Sequence, residues 1–258
     1  MAKVKEKASV VSQEMLAEGI YSMWIQTEQV ACQAVPGQFI DLYCNDGTKL
    51  LPRPISLCEI DRAKKQLRIV YRVAGAGTRE FSQYQPGDVV DILGPLGNGF
   101  PLEEAKGKRI FLVGGGIGIP PMLETAKQVT GHKQIILGYR DSQMFLKDEF
   151  EKTGAVSIAT EDGSAGIKGN VLDAVRAGGL EGDIIFACGP GPMLGALKEY
   201  AKEKKMECFI SLEERMACGI GACLACVCQS KEKDDHSQVC NKRVCKEGPV
   251  FRAEEVVL

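Results

Sequence analysis

A run near the end of the chain, CGIGACLACVC, holds four cysteines in eleven residues and constrains the fold more than any other feature. Its spacing, Cys218-x4-Cys223-x2-Cys226 followed by a distant cysteine, is that of plant-type [2Fe–2S] sites, where one loop wraps the cluster and the last thiolate comes from elsewhere. Gly219 and Gly221 allow the backbone to turn this tightly. Four thiolates also suit Zn²⁺, but structural zinc ligands more often come as two separated pairs. The spacing therefore favours an iron–sulfur cluster.

Three later cysteines compete for the fourth ligand position: Cys228, Cys240 and Cys245. Cys228 is a poor candidate because it lies two residues beyond Cys226, whereas the pattern brings its last ligand from a distant segment. The residue pattern leaves Cys240 and Cys245 open. With Cys245 as the ligand, the intervening stretch, including the polar run QSKEKDDHSQ, is expected to form an exposed hairpin or loop.

Composition indicates a globular protein of two or three compact units. The chain has 258 residues, of which 45% are hydrophobic and 26% charged. A net charge of −2 gives no basic excess for a nucleic acid or an anionic membrane. We find no signal-peptide pattern and no apolar stretch approaching about 18 residues, so we expect a cytoplasmic protein without a membrane partner. In that compartment, clustered thiols serve as metal ligands or redox groups rather than as disulfides.

Residues 1–102 have the pattern of short strands separated by turns. Five apolar segments, each bounded by Gly, Pro or Asp, follow one another: YSMWIQTE, GQFIDLYC, RPISLCEI, QLRIVYRV and GDVVDILG. Closure of such strands removes exposed edges. We therefore expect an antiparallel β-barrel domain over 1–102.

Strands and helices alternate over residues 103–210. An apolar strand from Arg109 to Val113 leads through the glycine turn VGGGIGIPP into a helix that Pro120 and Pro121 open. Further strands are expected at KQIILGYR, VSIATED, DIIFACGP and ECFISLEE, and helices at NVLDAVRAGG and PMLGALKEYAKEKK. This alternation predicts a parallel α/β domain. Residues 211–258 hold too little apolar sequence for a core of their own, so a metal centre is expected to organise them as a third domain.

Two loops of the α/β domain are candidates for a nucleotide site. VGGGIGIPP presents free backbone amides at a helix start, which suits a pyrophosphate, although it lacks the last glycine of G-x-G-x-x-G and could be a tight structural turn. ACGPGPML repeats the layout after another strand. Because ligands bind at the carboxyl edge of parallel sheets, the two loops together favour a nucleotide.

The barrel segment contains a candidate anion site. Arg53 lies in the proline-stiffened stretch LPRPISL, and Gly75, Gly77 and Thr78 can form an amide-lined concavity. An arginine fork beside such a concavity suits a diphosphate. The alternative is a barrel turn with a solvated arginine.

The order of these motifs resembles one protein family over nearly the whole chain. The similar segments are RPIS (53–56), GAGT (75–78), GPLGNGF (94–100), VGGGIGIPPM, C-G-P-x-x-M (188–193) and the cysteine motif that ends in VCKEGPVF. They are similar to the electron transfer subunits of bacterial type 1B dihydroorotate dehydrogenases. The resemblance implies a flavoprotein of the ferredoxin reductase type, with an FAD-binding barrel, an NAD-binding α/β domain and a small C-terminal [2Fe–2S] domain.

The resemblance also implies roles for individual residues. Cys245 becomes the fourth cluster ligand beside Cys218, Cys223 and Cys226. Arg53 would lie on the FAD diphosphate and Ser56 near the isoalloxazine. The other implied FAD contacts are Pro54, Ile55, Val70, Tyr71, Arg72, Gly77 and Thr78. The nicotinamide nucleotide would face Gly115, Gly116, Gly118, Cys188, Gly189 and Pro190.

The choice of dinucleotide rests on the resemblance alone, and the acid–base roles are left unassigned. NAD is preferred by resemblance, although Arg140 beside Asp141 could meet the 2′-phosphate of NADP. No general acid or base is assigned. His132 and His236 lie outside the motifs and are expected at the surface.

The implied function is electron transfer in pyrimidine biosynthesis. NADH gives two electrons as a hydride and a [2Fe–2S] cluster carries one, so FAD would mediate between them. Electrons would pass from a separate FMN-containing catalytic subunit, which oxidises dihydroorotate, through the cluster and FAD to NAD⁺ as a diffusible co-substrate. The expected assembly is a heterotetramer with two copies of each subunit. The alternatives are a subunit of another NAD(P)H-linked complex, such as a ferredoxin:NADP oxidoreductase or a sulfide dehydrogenase, and a zinc-stapled nucleotide-binding module.

Overall fold

The computed structural model describes residues 3–233 and 238–258. In chain order, the strands are β1 (Val4–Ala17), β2 (Ile20–Gln26), β3 (Phe39–Leu42), β4 (Arg53–Asp61), β5 (Gln66–Arg72), β6 (Val89–Leu96), β7 (Arg109–Gly115), β8 (His132–Tyr139), β9 (Ala155–Thr160), β10 (Ile167–Lys168), β11 (Ile184–Cys188), β12 (Glu207–Ser211), β13 (Val227–Gln229), β14 (Asn241–Arg243) and β15 (Val250–Arg252). The helices are α1 (Val30–Gln33), α2 (Ala76–Phe81), α3 (Pro120–Gln128), α4 (Lys147–Glu151), α5 (Val171–Ala177) and α6 (Gly191–Lys204). Single 3₁₀ turns occupy Leu102–Ala105 and Gly116–Gly118. None of the helices in the described ranges is long and apolar enough to cross a membrane.

The first half of the chain closes into an antiparallel barrel, as predicted. The strand order is β1-β2-β5-β4-β3-β6, and the five predicted strands are all present. The sequence did not indicate β1, the longest strand of the barrel. Only Ala8 and Val10 of its 14 residues are buried, so it lacks the apolar alternation that marks a strand.

The second half forms a seven-stranded sheet in the order β10-β9-β8-β7-β11-β12-β15. The first six strands of this order run parallel, which confirms the predicted α/β architecture. The predicted strands and helices are all found, and α3 begins at Pro120 as expected. Only the edge strand β15 is antiparallel to its neighbour β12.

The C-terminal segment shares the core of this sheet. Strand β15 extends the sheet, and the preceding residues form a hairpin of β13 and β14. Buried side chains of the segment join one apolar cluster with Phe111 and Ile185 from the centre of the sheet: Met216, Cys226, Cys228, Val244, Cys245, Phe251, Ala253 and Val256. The expectation that a metal centre alone organises residues 211–258 is therefore incomplete. The chain's apolar residues here are too few for a separate core but sufficient to cover the sheet edge.

A buried ion-pair network joins the barrel to the sheet. The Arg68 guanidinium on β5, with 5% of the residue exposed, donates to Ser22 Oγ at 2.8 Å, Glu59 Oε1 at 2.5 Å and Glu149 Oε2 at 2.6 Å. Lys127 on α3 donates to the other oxygen of Glu59. Because Glu149 and Lys127 belong to the α/β sheet layer, the network fixes how the two halves of the molecule face each other.

Candidate redox site

The four predicted cluster ligands form two pairs of neighbours, Cys218 with Cys223 and Cys226 with Cys245. Cys218 Sγ accepts the backbone N–H groups of Ala222 at 3.3 Å and Cys223 at 3.4 Å, so the loop wraps around this sulfur. The backbone N–H of Cys245 donates to Cys226 Sγ at 3.5 Å. The β13–β14 hairpin returns the chain from Cys226 to Cys245, while residues 234–237 of the polar run between the two strands lie outside the described residues.

The pKa values of Cys218 and Cys245 are shifted in opposite directions. Although burial opposes ionisation, backbone N–H donors and the neighbouring Cys223 thiol lower the pKa of Cys218 to about 6. Burial and the adjacent Cys226 raise the pKa of Cys245 to about 12. Metal thiolate bonds require deprotonated sulfur, so metal binding would release a proton from Cys245 at neutral pH.

The donor set fits an iron–sulfur cluster in its chemistry. Four thiols come from one tightly turned loop and one distant segment, which is the plant-type arrangement. Across residues 3–233 and 238–258, no group of three or more His, Cys, Asp or Glu side chains is arranged to hold a single metal ion. The fit therefore rests on the identity and pairwise proximity of the thiols.

Two other cysteines of the segment lie outside the group. Cys228 on β13 is 8% exposed and packs in the core shared with the sheet. Cys240 is exposed before β14. Burial does not separate Cys228 from Cys226 and Cys245, which belong to the same apolar cluster, so the exclusion of Cys228 and Cys240 from the ligand set remains a prediction.

Two glycines bring the loop of residues 218–226, called the cluster loop below, against the barrel. Gly219 and Gly221 have φ values of +62° and +84°, the left-handed region that favours glycine. A Cβ on Gly219 would lie 2.9 Å from Leu96 Cδ1 and would overlap the Asp41 carboxyl; one on Gly221 would lie 2.8 Å from Lys246 Cδ. Larger residues at either position would push the loop away from β3, β6 or its own C-terminal segment.

Asp41 on β3 is a component of this junction that the sequence did not indicate. It is fully buried, and within the described residues neither carboxylate oxygen has a hydrogen-bond partner. Burial, and then the nearby Cys218, raise the pKa of this carboxyl to about 7. Ile40 and Leu42 fill the barrel interior, so Asp41 faces outward to the cluster loop. In the sequence, FIDL has no feature that separates it from any other barrel strand.

Strand β4 carries the RPIS motif opposite Asp41. Pro54 pairs with Asp41 across the ladder and Ser56 with Phe39, so these four side chains share one face. All four residues of RPIS are half-buried, and Ile55 packs toward the barrel core. Pro54 and Ser56 therefore stand beside the carboxyl that touches the cluster loop.

The predicted anion site brings together Arg53 and the turn before α2. A Cβ on Gly77 would lie 2.7 Å from Arg53 Cζ, so the guanidinium rests directly on this glycine. Thr78 Oγ1 accepts the N–H groups of Ala74 at 2.9 Å and Gly75 at 3.2 Å, which holds the turn closed. The sequence candidates on both segments thus form one cradle.

The three β5 candidates point in two directions. The Tyr71 side chain lies inside the barrel, where its hydroxyl donates to Gln13 Oε1 at 2.8 Å and burial raises its pKa. Only the backbone of Tyr71 is left for a ligand outside the barrel. Val70 lies in the cluster between barrel and sheet. Arg72 is exposed, and its Nη2 would lie 3.9 Å from a Cβ on Gly116 in the glycine turn.

The two nucleotide loops meet at the carboxyl edge of the sheet. Cys188 at the end of β11 pairs with Gly114 at the end of β7. A Cβ on Gly118 would lie 2.5 Å from the carbonyl carbon of Cys188, and one on Gly115 would lie 3.3 Å from Pro190 Cδ. Burial raises the pKa of the Cys188 thiol to about 12, so it is a neutral group of this edge. The glycines serve close packing between the loops.

Gly189 is part of the same contact between the two nucleotide loops, since a Cβ on Gly189 would lie 3.2 Å from the Gly115 nitrogen.

The remaining residues singled out in the sequence lie at the surface or outside the described residues. Arg140 is exposed after β8, and Asp141 Oδ1 accepts the Gln143 N–H at 2.8 Å. His132 is exposed, as expected, and His236 lies outside the described residues.

Known proteins are similar to this chain both in its C-terminal segment and over nearly its full length. A family model described as the iron-sulfur cluster binding domain of dihydroorotate dehydrogenase B matches residues 213–257. The dihydroorotate dehydrogenase B (NAD(+)) electron transfer subunit of Bacillus caldolyticus is 47% identical over 98% of this chain and 99% of its own length. The protein of the same name from Geobacillus kaustophilus (strain HTA426) has the same identity and coverage.

Solved structures share the fold. An NADH-dependent reduced ferredoxin-NADP oxidoreductase superposes with a TM-score of 0.86 and 31% identity, over 97% of this chain and 89% of that chain. A ferredoxin NADP⁺ reductase from Neisseria gonorrhoeae with bound FAD and NADP superposes with a TM-score of 0.65 and 16% identity, over 78% of this chain and 91% of that chain. The second likeness shows the fold alone, a barrel followed by a parallel α/β sheet.

Proposed function

Because the chain belongs to the family of electron transfer subunits of dihydroorotate dehydrogenase B (NAD(+)), we propose that it passes the electrons of dihydroorotate from an FMN-containing catalytic subunit to NAD⁺. It is a subunit of an oxidoreductase, with FAD and a [2Fe–2S] cluster as cofactors. When bound, FAD exchanges a hydride with the nicotinamide and single electrons with the cluster. One observation carries the proposal. The cluster loop lies against strand β3, which pairs with the RPIS strand β4, and the glycine turn after β7 lies against Arg72 on the neighbouring strand β5.

Contacts on both sides of the RPIS strand support this route. On one side, Asp41 pairs with Pro54 and touches Gly219 of the cluster loop. On the other side, Arg72 reaches from β5 to Gly116 of the glycine turn. Groups bound at the three places would therefore be neighbours in the order cluster, flavin, nicotinamide.

The proposed cluster ligands are Cys218, Cys223, Cys226 and Cys245. The N–H donors around Cys218 stabilise a thiolate, which is the form that binds iron. The buried Cys245 gives up its proton on metal binding. The hairpin between the two parts of the ligand set keeps the fourth thiol at a fixed distance from the loop.

The proposed FAD site is the cradle of Arg53 and the α2 turn. The guanidinium offers paired donors to the diphosphate, and Thr78 Oγ1, which accepts the Ala74 N–H, holds the turn beside it closed. Ser56 would stand near the isoalloxazine ring. The proposed FAD contacts are Arg53, Pro54, Ile55, Ser56, Val70, Tyr71 through its backbone, Arg72, Gly77 and Thr78.

The proposed nicotinamide site is the sheet edge where the two loops touch. Its residues are Gly115, Gly116, Gly118, Cys188, Gly189 and Pro190. The neutral Cys188 thiol and the close-packed glycines add no charge of their own to this surface, which the Arg72 guanidinium approaches at Gly116. We propose NAD rather than NADP, with Arg140 as the position where a 2′-phosphate would bind if the preference were reversed.

The exposed tip of the cluster loop is the proposed docking site of the catalytic subunit. Ile220 and Leu224 are 46% and 54% exposed and flank the exposed Cys223. Exposed apolar residues beside a redox centre suit a protein interface that excludes water.

We propose that the chain assembles with its catalytic partner into a cytoplasmic heterotetramer with two copies of each subunit. The proposed domains of the chain are residues 1–102, 103–210 and 211–258.

Purification of the chain with its native partner tests the function. Dihydroorotate-dependent NAD⁺ reduction by the complex is expected, with flavin and iron–sulfur absorption bands in this chain. The likeness to NADH-dependent reduced ferredoxin-NADP oxidoreductase favours a second candidate, a subunit of a ferredoxin-linked complex. Co-purification with a ferredoxin-linked partner, and no turnover of dihydroorotate, would decide for that candidate.

A further inference from the structure

Asp41 is the exception among the buried acidic side chains of the barrel–sheet junctions. Glu59 is bonded to Arg68 and Lys127, and Glu124 accepts the Ile60 N–H at 3.0 Å. The fold thus satisfies these carboxylates with donors. Asp41 is fully buried, yet neither of its oxygens has a partner in the described part of the chain. Native proteins rarely bury an unpaired carboxyl without a functional reason.

The surroundings of Asp41 indicate which function it serves. A Cβ on Gly219 would lie 3.2 Å from Asp41 Cγ, so the carboxyl rests against the backbone beside the proposed ligand Cys218. On its other side, Asp41 pairs with Pro54 of the proposed FAD site. The carboxyl therefore lies between the two proposed redox centres, on a strand that the barrel holds rigid.

We propose that Asp41 is a positioning residue for the [2Fe–2S] cluster: it seats the Cys218–Gly219 backbone on the barrel and sets the cluster's reduction potential through its buried carboxyl. At a pH where the carboxyl is ionised, its negative charge disfavours the addition of an electron, and this effect is strong where water is excluded. Groups around the ligands, rather than the ligands alone, tune such clusters. The inference depends on one part of the proposed function, namely that the cluster loop binds a [2Fe–2S] cluster.

The test compares Asp41→Asn with the wild-type holoprotein. The substitution removes the charge and keeps the shape. We expect the midpoint potential of the cluster, measured by redox titration with paramagnetic resonance detection at one fixed alkaline pH at which the wild-type carboxyl is ionised, to move upward. Iron and FAD contents are measured on the same samples. The resonance signal reports only molecules that carry the cluster, so partial loss of iron leaves the measurement valid.

Asp61→Asn is the matched control. Asp61 closes β4, seven positions along the strand from Pro54, which at about 3.3 Å per residue places it about 23 Å away. This variant makes the same chemical change on the same barrel. Its cluster potential is expected to equal that of the wild type.

A second comparison tests the contact itself. Gly219→Ala is expected to reduce iron content in the wild-type background, because its Cβ would overlap the carboxyl. In an Asp41→Ala background the same substitution is expected to cost less iron. Equal losses in both backgrounds would overturn the proposed contact, even if Asp41→Asn failed to fold.

An unchanged potential and resonance spectrum in Asp41→Asn, with full iron and FAD, would overturn the role in setting the potential. Wild-type protein that holds no iron and sulfide would instead refute the proposed function. The two failures are therefore distinguishable.

Discussion

The Arg53 guanidinium lies on Gly77, with Arg53 Cζ at 2.7 Å from where a Cβ of that glycine would stand. The contact joins the start of β4 to the first turn of α2, two segments that are separate in the sequence. Only a residue without a side chain allows it. The cradle therefore depends on the glycine as much as on the arginine.

Loss of Arg53 is expected to weaken FAD binding and leave the cluster intact. A charge-assisted hydrogen bond contributes about 1.5–3 kcal/mol, so Arg53→Ala should weaken FAD affinity about 10- to 100-fold. Fluorescence titration of the flavin-free protein measures this, with Arg176→Ala on the exposed face of α5 as the control. Wild-type FAD affinity in Arg53→Ala would remove Arg53 from the site.

Among the three late cysteines, only Cys245 is expected to matter for the cluster. Cys245→Ser should lose iron, sulfide and the reduced-cluster resonance signal. Cys228→Ser and Cys240→Ser should keep them, because Cys228 lies only two residues beyond Cys226, whereas the last ligand comes from a distant segment, and Cys240 is exposed. Loss of the signal in Cys240→Ser, with a normal Cys245→Ser cluster, would show that the distant ligand is Cys240.

In the cluster-free protein, Cys218 is expected to alkylate selectively near pH 7. Its lowered pKa of about 6 makes the thiolate, the reactive form, predominate above that pH. Cys245 and Cys188, with pKa values raised to about 12, stay protonated and should react slowly. Peptide mass spectrometry after a short iodoacetamide pulse at pH 5, 7 and 8 measures the order. A bound cluster should protect Cys218, and equal labelling of all three thiols would contradict the prediction.

Truncation of Arg68 is expected to destabilise the fold strongly. Arg68→Ala removes the shared donor of the buried Glu59, which keeps only Lys127, and of the half-buried Glu149, which costs about 3–5 kcal/mol. Breaking the exposed Lys7–Asp91 pair with Lys7→Ala should cost at most about 1 kcal/mol. Urea unfolding of both variants provides the comparison. Similar losses of stability would mean that the buried network contributes no more than a surface pair.

The isolated chain is expected to oxidise NADH with an artificial electron acceptor but to leave dihydroorotate untouched. The proposed nicotinamide and flavin sites are both in this chain, whereas no general base for dihydroorotate was identified. Dihydroorotate turnover by a preparation shown to be free of partner would refute this division of labour. Addition of the purified catalytic subunit should restore the turnover.

Local patterns in the sequence determined much of the fold and of the site. The spacing of Cys218, Cys223 and Cys226 indicated the cluster loop, because a wrapping loop needs its ligands at short intervals. Gly219 and Gly221 indicated the turns, and both have positive φ. Apolar periodicity gave five of the six barrel strands and the alternation of strands and helices in the α/β domain, since strand and helix periods are local properties.

Only the tertiary structure decided what depends on contacts between distant segments. Strand β1 has few buried residues, and β15 is a strand because it pairs with the edge of the sheet. Asp41 is an ordinary polar position of a barrel strand until Gly219 covers it. Burial, an unpaired carboxyl and a raised pKa all follow from that one approach, and a contact between residues so far apart leaves no periodic trace in either segment.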